Sequence, residues 1–298
     1  MVGAAAPLRA SRVWWSAVRP ATLAASVAPV LAGTAIAVHE GDWRWAAGVA
    51  ALVVALGMQV GVNFANDYSD FVRGADNRRV GPVRAASSGV VAPAQVRRAS
   101  IAAFGVAAVL GVGLSLAVDW RLLIVGAACL LAGWLYTGGP RPYGYLGLGE
   151  IFVFLFFGLV ATVGTVYVET SRITALSVLM GCGMGFLATA ILVLNNLRDI
   201  ETDAAAGKRT LATRLGRERT RILLLVLVAA AFAVPIVIFM TKLAAVTVMA
   251  MHFGIPIASV PVRTAFASTS PAVLVLALKR MAAAQLAYAL LFTVGILL

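Results

Sequence analysis

Nine long apolar segments constrain the fold of this chain more than any other feature of its sequence. They are Ala21–Val38, Trp45–Phe64, Ala99–Val118, Leu122–Tyr136, Leu148–Val168, Ile173–Leu194, Ile222–Met240, Leu243–Val260 and Met281–Leu298. An α-helix rises about 1.5 Å per residue, so 18 residues cover roughly 27 Å, close to the thickness of the hydrocarbon layer. Unpaired backbone groups are costly in lipid, so such segments cross it as helices. The pattern predicts an all-α, polytopic membrane protein with nine transmembrane helices.

The distribution of basic residues predicts the orientation. With the N-terminus in the cytoplasm, only Arg44, Arg121, Arg172 and Lys242, of 24 Lys and Arg, fall on the far side, as the positive-inside rule requires. Only 12% of the residues are charged. The net charge of +12 lies in the loops, beside the bilayer. This position favours anionic headgroups and anionic substrates, rather than nucleic acid, as binding partners. We expect a multi-pass protein of the cell (inner) membrane that contacts membrane lipid and no nucleic acid.

Acid and amide side chains gather where the second apolar segment ends, in N-F-A-N-D-Y-S-D. Asn63, Asn66, Asp67 and Asp70 are separated by three or four residues, so a helix places them on one face. Capping would explain one such residue at a helix end, but not four. Carboxylate and amide oxygens are the ligands that Mg²⁺ takes, commonly together with a substrate phosphate.

A second cluster follows the sixth apolar segment, in N-N-L-R-D-I-E-T-D. Here Asn195, Asp199 and Asp203 are spaced four residues apart, again on one helical face. Because the two clusters hold matching places, we interpret residues 1–298 as one domain. It would be a repeat of helices 1–4 and 5–8 with a ninth helix added. The two clusters then form one magnesium site that faces the cytoplasm.

Basic residues follow each cluster and predict that the bound anion is a diphosphate. Guanidinium groups bind such oxygens in pairs. The candidates for this contact are Asn63, Arg73, Arg78, Arg79, Arg198, Lys208 and Arg209. Between the clusters, Y-T-G-G-P-R-P-Y-G-Y places Tyr136, Tyr143 and the cation Arg141 in a segment whose backbone is fixed by Gly and Pro. We expect these three at the site, the alternative for the tyrosines being the aromatic belt of the membrane interface.

The position of the acids favours an enzyme over a pump. Apart from His252, which we expect to bond to a neighbouring carbonyl outside the site, no charged group lies in the middle of an apolar segment. An ion pump needs carboxylates near the midplane, so a membrane cation transporter is the less favoured alternative. A metal-binding rim above a dry interior suits a lipid diphosphate. Each buried CH₂ contributes about 0.8 kcal/mol, which keeps a polyprenyl chain in the bilayer.

These motifs resemble those of the UbiA superfamily of intramembrane prenyltransferases, from about Arg19 to the C-terminus. They are most similar to the branch that prenylates 1,4-dihydroxy-2-naphthoate in menaquinone synthesis. The resemblance implies nine helices in a ring, a central cavity open sideways to lipid, and two Mg²⁺ ions that bridge the acid motifs. The implied metal ligands are Asn63, Asn66, Asp67, Asp70, Asn195, Asp199 and Asp203.

Two positions depart from the superfamily's pattern. Gly74 stands where a third aspartate is common, and Asp76 follows two residues later, which leaves the role of Asp76 open. Arg141 stands where a lysine is commoner, which keeps the charge but changes the geometry.

The resemblance also implies the reaction. A polyprenyl group passes from polyprenyl diphosphate to 1,4-dihydroxy-2-naphthoate with loss of CO₂ and diphosphate, giving demethylmenaquinone. We expect an allylic cation in a water-free pocket, stabilised by aromatic ring faces. The residues expected to act in catalysis are Asp67, Asp70, Asp199, Asp203, Tyr136, Tyr143 and Arg141, with Tyr68 and Phe64 as further ring candidates. The nearest alternative is a relative that uses 4-hydroxybenzoate or haem. A CDP-alcohol phosphotransferase is disfavoured because its D-G-x-x-A-R signature is absent.

Overall fold

The computed structural model describes residues 9–74 and 84–298, and their regular structure is helical. The α-helices are α1 (Ala10–Val18), α2 (Pro20–His39), α3 (Trp45–Val72), α4 (Pro93–Ala117), α5 (Leu122–Leu135), α6 (Gly149–Val153), α7 (Ala161–Thr170), α8 (Ala175–Arg198), α9 (Ile200–Ala205), α10 (Leu211–Met240), α11 (Ile255–Ala267) and α12 (Pro271–Leu297). Two 3₁₀ segments span Tyr143–Leu146 and Val246–Gly254, and a π-helical segment spans Phe154–Val160. The all-α prediction is confirmed.

The helices reproduce the apolar segments but differ from them in length at several ends. In the described part of the chain, eight helices are long and apolar enough to cross a membrane. The segment predicted as Leu122–Tyr136 forms α5, whose 14 residues cover only roughly 21 Å, so the count of nine spans is not confirmed. In contrast, α3 continues past its predicted end at Phe64 to Val72. The first acid cluster therefore lies on the last three turns of a long helix.

The helices pack around α8, most of which is buried within the molecule. It contacts α10, α12 and the π-helical segment, and α2 packs against α12, α7 and α3. The first and last long helices are therefore neighbours. The largest fully buried side chains include Ile36, Leu187, Leu224, Tyr288 and Phe292, which join α2, α8, α10 and α12 in one apolar core.

Glycine allows the close contact between the π-helical segment and α8. A Cβ atom on Gly158 would overlap the Cα of Gly185, so neither helix tolerates a side chain at this crossing. Small residues on a helix permit either close contact with another helix or space for a ligand. Gly185 of α8 permits close contact with the π-helical segment. Widened turns of this kind are common near functional sites.

A smaller apolar cluster lies beside the acid end of α3. It comprises Val13 and Ala17 of α1, Phe64 of α3, and the segment from Ala85 to Val96. The ring of Trp14 meets Phe64 edge to face, with centroids 5.6 Å apart, and Tyr68 packs against the same cluster. Phe64 and Tyr68 therefore pack between α3, α1 and this segment, and the action of their rings on the reacting group stays a prediction.

Candidate active site

The two acid clusters meet at a small polar chamber. Its volume is about 70 Å³, and it lies where α3, α8 and α9 end. The residues that line it include Asn66 and Asp70 from the first cluster, Asn195, Asp199 and Asp203 from the second, and Arg19, Arg84, Tyr136, Thr137, Tyr145, Asn196 and Lys208. Residues more than 120 positions apart thus surround one space, as the paired clusters predict.

One lysine joins the two clusters directly. The Nζ of Lys208 lies 3.1 Å from Asp70 Oδ1 and 3.6 Å from Asp203 Oδ1. It also lies 4.6 Å from the ring centroid of Tyr145. Burial alone would lower the pKa of Lys208, but the carboxylates of Asp70 and Asp203 more than offset it, so the pKa is raised above its ordinary value. The ammonium therefore remains charged between two carboxylates.

Asp70 is the most densely bonded acid of the site. Besides Lys208, its carboxylate accepts hydrogen bonds from Arg84 and the Tyr145 hydroxyl, each at 2.9 Å. Burial raises the pKa of Tyr145, and the negative charge of Asp70 adds to the effect, so this hydroxyl stays protonated and donates. Asp70 is 5% exposed, and these donors hold it in one orientation toward the chamber.

The second cluster is held by its own arginine. Asp199 caps the C-terminus of α8, where the chain bends into α9. Both of its carboxylate oxygens accept hydrogen bonds from the guanidinium of Arg198, which also donates to Asn195 Oδ1 at 2.9 Å. Arg198 is thus a counter-ion of Asp199 beside the chamber, whereas Asn195 and Asp199 line it.

Two residues of the first cluster face away from the chamber. Asp67 is 1% exposed, and its oxygens accept the backbone N–H groups of Ala85 and Ala86 at 2.8 and 3.2 Å. Asn63 donates to the carbonyl of Val18 at 2.8 Å and accepts from Gln59 at 3.3 Å.

These contacts separate the four predicted ligands of the first cluster into two pairs. At about 100° per residue, the four members of the cluster span an arc of about 100°. Asn66 and Asp70 occupy the edge of that arc that meets the chamber. Asn63 and Asp67 occupy the other edge, which packs against α1 and the segment after residue 83.

Of the predicted basic residues, Lys208 lines the chamber, whereas Arg73, Arg141 and Arg209 do not. Arg73 is exposed, donates to the carbonyl of Gly139 at 2.6 Å, and lies 5.0 Å from the centroid of Tyr145. Arg209 is exposed and bonds to Tyr145 only through its backbone N–H. Arg141 is exposed at a turn and lines neither the chamber nor the cavity beside it. Its role at the site therefore stays a prediction that neither lining supports. Asp76, Arg78 and Arg79 lie outside the described residues.

Several chamber residues were not among the predicted ones. Arg84 pairs with Asp70, and Arg19 lines both the chamber and the apolar cavity. Tyr145 ends the predicted Tyr136–Tyr145 loop, and Asn196 is adjacent to Asn195. Tyr145 and Asn196 had a signal, because they lie in the motifs, but spacing alone does not show which neighbour faces inward, and Arg19 lies outside every motif.

An apolar cavity of about 560 Å³ adjoins the chamber. Arg19, Asn66, Tyr136 and Asn195 line both spaces, so the polar chamber leads into the membrane-embedded interior. The volume falls within the range of about 300 to 1,000 Å³ usual for small-molecule sites.

A row of aromatic rings runs from the chamber into this cavity. Tyr136 and Tyr143 meet edge to face at 5.5 Å, Tyr143 stacks on Phe152 at 4.0 Å, and Phe152 lies 6.0 Å from Phe156. Burial raises the pKa of both tyrosines, and the charge of Glu150 adds to the effect at Tyr136. Both therefore stay neutral, and their rings offer electron-rich faces to a cation.

The donor set fits Mg²⁺ shared with a bound anion. Within residues 9–74 and 84–298, no group of three or more His, Cys, Asp or Glu side chains forms a complete metal site. Mg²⁺ does not need one, because one or two carboxylates, several waters and substrate phosphates commonly hold it. Asp70 and Asp203 already hold one cation, the Lys208 ammonium, between them.

Comparison with known sequences gives consistent matches. A model described as the UbiA prenyltransferase family matches residues 26–274. A protein of Mycobacterium tuberculosis named 1,4-dihydroxy-2-naphthoate octaprenyltransferase is 48% identical over 212 residues, covering 70% of this chain and 72% of that protein. A Bacillus subtilis protein of the same name is 30% identical over 299 residues, covering 99% and 96%.

Solved structures show the same fold. The apo structure of a UbiA homolog from Aeropyrum pernix K1 aligns with a TM-score of 0.66 at 15% identity, covering 97% of this chain and 98% of that one. A UbiA homolog from Archaeoglobus fulgidus bound to GPP and Mg²⁺ aligns with a TM-score of 0.63 at 15% identity, covering 96% and 99%.

Proposed function

The chain belongs to the UbiA prenyltransferase family, and from that premise we propose that it transfers a polyprenyl group from polyprenyl diphosphate to 1,4-dihydroxy-2-naphthoate. The products are CO₂, diphosphate and demethylmenaquinol, the reduced form of demethylmenaquinone. The acceptor is chosen because relatives from Mycobacterium tuberculosis and Bacillus subtilis bear the name 1,4-dihydroxy-2-naphthoate octaprenyltransferase.

One observation carries the proposal. Asp70 and Asp203 lie 3.1 and 3.6 Å from the same ammonium, in a polar chamber that shares its wall with an apolar cavity of about 560 Å³. A site with cations and carboxylates at one end and apolar side chains at the other matches a substrate with a charged head and a hydrocarbon tail. A soluble phosphate ester would leave the apolar part unused.

The polar end binds and orients the diphosphate. Mg²⁺, when bound, supplies Lewis-acid stabilisation of the leaving group, and Asp70, Asp199 and Asp203 would hold it. We expect two ions. Arg84 and Lys208 neutralise the remaining charge of the leaving diphosphate, since both line the chamber. Such preorganised charge is commonly a large contribution to the rate.

The aromatic row acts on the other half of the substrate. When the allylic C–O bond breaks, diphosphate leaves with the electron pair and the prenyl carbon becomes cationic. Tyr136 and Tyr143 face this carbon with neutral rings, and Phe152 and Phe156 exclude water behind them. The ring carbon that bears the carboxylate then forms the new C–C bond, and CO₂ departs, leaving its bonding pair to restore aromaticity.

The membrane arrangement follows from the same features. Polyprenyl diphosphate reaches the cavity from the lipid, and the acceptor reaches the chamber from water. From the basic loops and the positive-inside rule we infer that the chamber faces the cytoplasm at the cell (inner) membrane. We infer that the chain is one transmembrane prenyltransferase domain, in which the first four and the next four of the predicted transmembrane helices form a repeat.

Labelled substrates test the proposal. Membranes that contain the protein receive Mg²⁺, polyprenyl diphosphate and 1,4-dihydroxy-2-naphthoate labelled in its carboxyl carbon. We expect released labelled CO₂ in equal amount to a prenylated quinol, and neither product with EDTA or with Asp199→Ala. Turnover with 4-hydroxybenzoate and none with the naphthoate would overturn the choice of acceptor.

A further inference from the structure

We propose that Glu150 is a positioning residue that turns the amide oxygen of Asn196 toward the chamber, where it serves as a ligand for the divalent cation. The inference rests on the proposed function, because it assumes a metal in the chamber. It adds two residues, one from α6 and one from α8, that the spacing of the acid motifs does not indicate.

The orientation of Asn196 follows from one hydrogen bond. Its Nδ2 donates to Glu150 Oε1 at 2.9 Å, and both residues are 7% exposed. Because Glu150 Oε1 is the acceptor of this bond, Asn196 presents its NH₂ group to Glu150 and its oxygen to the opposite side. That side is the chamber, which Asn196 lines.

The oxygen of Asn196 differs from those of the other amides of the site. Asn66 Oδ1 accepts from the Thr137 hydroxyl at 2.7 Å, and Asn195 Oδ1 accepts from Arg198 at 2.9 Å. Both amides therefore present N–H groups to the chamber, which suits diphosphate oxygens. Within the part of the chain that the structure describes, the Asn196 side chain makes its hydrogen bond through Nδ2. Its amide oxygen is therefore available to a cation.

The position of Asn196 in the chain supports this role. Asn196, Asp199 and Asp203 are separated by three and four residues, and all three line the chamber. The neutral amide adds an oxygen to two carboxylates without adding charge. A hard cation such as Mg²⁺ takes such mixed sets of carboxylate and amide oxygens. Groups that orient ligands in this way typically change metal affinity by about 10-fold to 100-fold when they are removed.

Manganese binding provides the test. Mn²⁺ affinity is measured by EPR on the full-length protein in nanodiscs, with inorganic diphosphate present. We expect Glu150→Gln to weaken Mn²⁺ binding about 10-fold to 100-fold, because an amide at position 150 both donates and accepts and so no longer fixes which end of Asn196 faces the chamber. The double variant Glu150→Gln/Asn196→Asp keeps the total charge and lets the new amide at position 150 donate to a carboxylate that still has an oxygen for the metal. We expect it to restore most of the affinity.

Two comparisons separate the alternatives. Glu150→Asp keeps the charge but shortens the reach, so it should lose affinity like Glu150→Gln; retained affinity would mean that charge alone matters and would overturn the inference. Failure of the double variant to recover would also overturn it, as would unchanged affinity in Glu150→Gln. Absence of Mn²⁺ binding in the unmodified protein would instead refute the metal site of the proposed function, and the inference with it.

Discussion

Replacing Lys208 with methionine tests the junction of the two acid clusters, because it removes the shared charge and keeps a side chain of similar length. The Lys208 nitrogen lies 3.1 Å from Asp70 and 3.6 Å from Asp203, so the two carboxylates face each other once it is gone. At a separation of roughly 7 Å and an effective dielectric constant of about 20, their repulsion is about 2 kcal/mol. At about 2 to 4 °C per kcal/mol, the melting temperature should fall by about 4 to 8 °C.

The assay is thermal unfolding in nanodiscs, with EDTA or with Mg²⁺. We expect Lys208→Met to unfold at a lower temperature than the unmodified protein in EDTA and to recover in Mg²⁺, because a divalent ion binds the same oxygens. Lys279→Met, at an exposed position of α12, is the matched control and should change little. A Lys208→Met variant as stable as the unmodified protein in EDTA, or one that Mg²⁺ stabilises no more than it stabilises that protein, would refute the reasoning.

Three further predictions follow from the geometry. Asp67→Asn should lower stability by about 1 to 3 kcal/mol, since one backbone N–H loses its acceptor, yet weaken Mn²⁺ binding far less than Asp70→Asn; equal losses of affinity in EPR titrations would contradict the separate roles. Gly158→Ala should destabilise by about 1 to 3 kcal/mol or more through overpacking, whereas Gly105→Ala, with no atom within 4 Å of the new Cβ, should keep or raise the melting temperature. Because the pKa of Lys208 is raised, its contribution to stability is fully present below about pH 10.4 and is lost only above it. The melting temperatures of the unmodified protein and of Lys208→Met should therefore differ by a constant amount between about pH 7 and 9. A difference that shrinks over this range would contradict the assignment.

Helix positions were predictable because apolar length alone determines which segments cross a bilayer. The helix boundaries were less predictable, since hydropathy ends where charge begins and not where the helix ends. Thus α3 runs eight residues beyond Phe64. The helical residues after the Thr210 cap begin at Leu211, but a break at Gly216 (φ 75°) separates them from the part of α10 that contains the apolar segment.

The site was predictable to the level of a helix face. In each of the two clusters, spacing of three and four residues identified the side that faces the chamber. That side contains Asp70 in the first cluster, and Asp199 and Asp203 in the second. It could not show that Asn63 and Asp67 lie at the edge of the arc that packs against α1, because that depends on tertiary contacts.

The same dependence on tertiary contacts explains why the sequence did not predict the positions of Arg84 and Arg141. Arg84 is folded back onto Asp70 and Arg141 is exposed on a turn, although both follow glycine and proline residues in the sequence. Asn196 was missed because it is next to Asn195, and only the bond to Glu150 reveals its orientation.

The central claim is that acids from separate parts of the chain bind one diphosphate. A double-mutant cycle of Asp70→Asn and Asp203→Asn tests it most directly, with calorimetric measurement of the Mg²⁺-dependent binding of an unreactive prenyl thiodiphosphate. We predict that the two free-energy losses fall short of additivity by at least about 1 kcal/mol, because each substitution disrupts the same bound group. Losses that add in full would show that the two acids bind independently and would contradict the account.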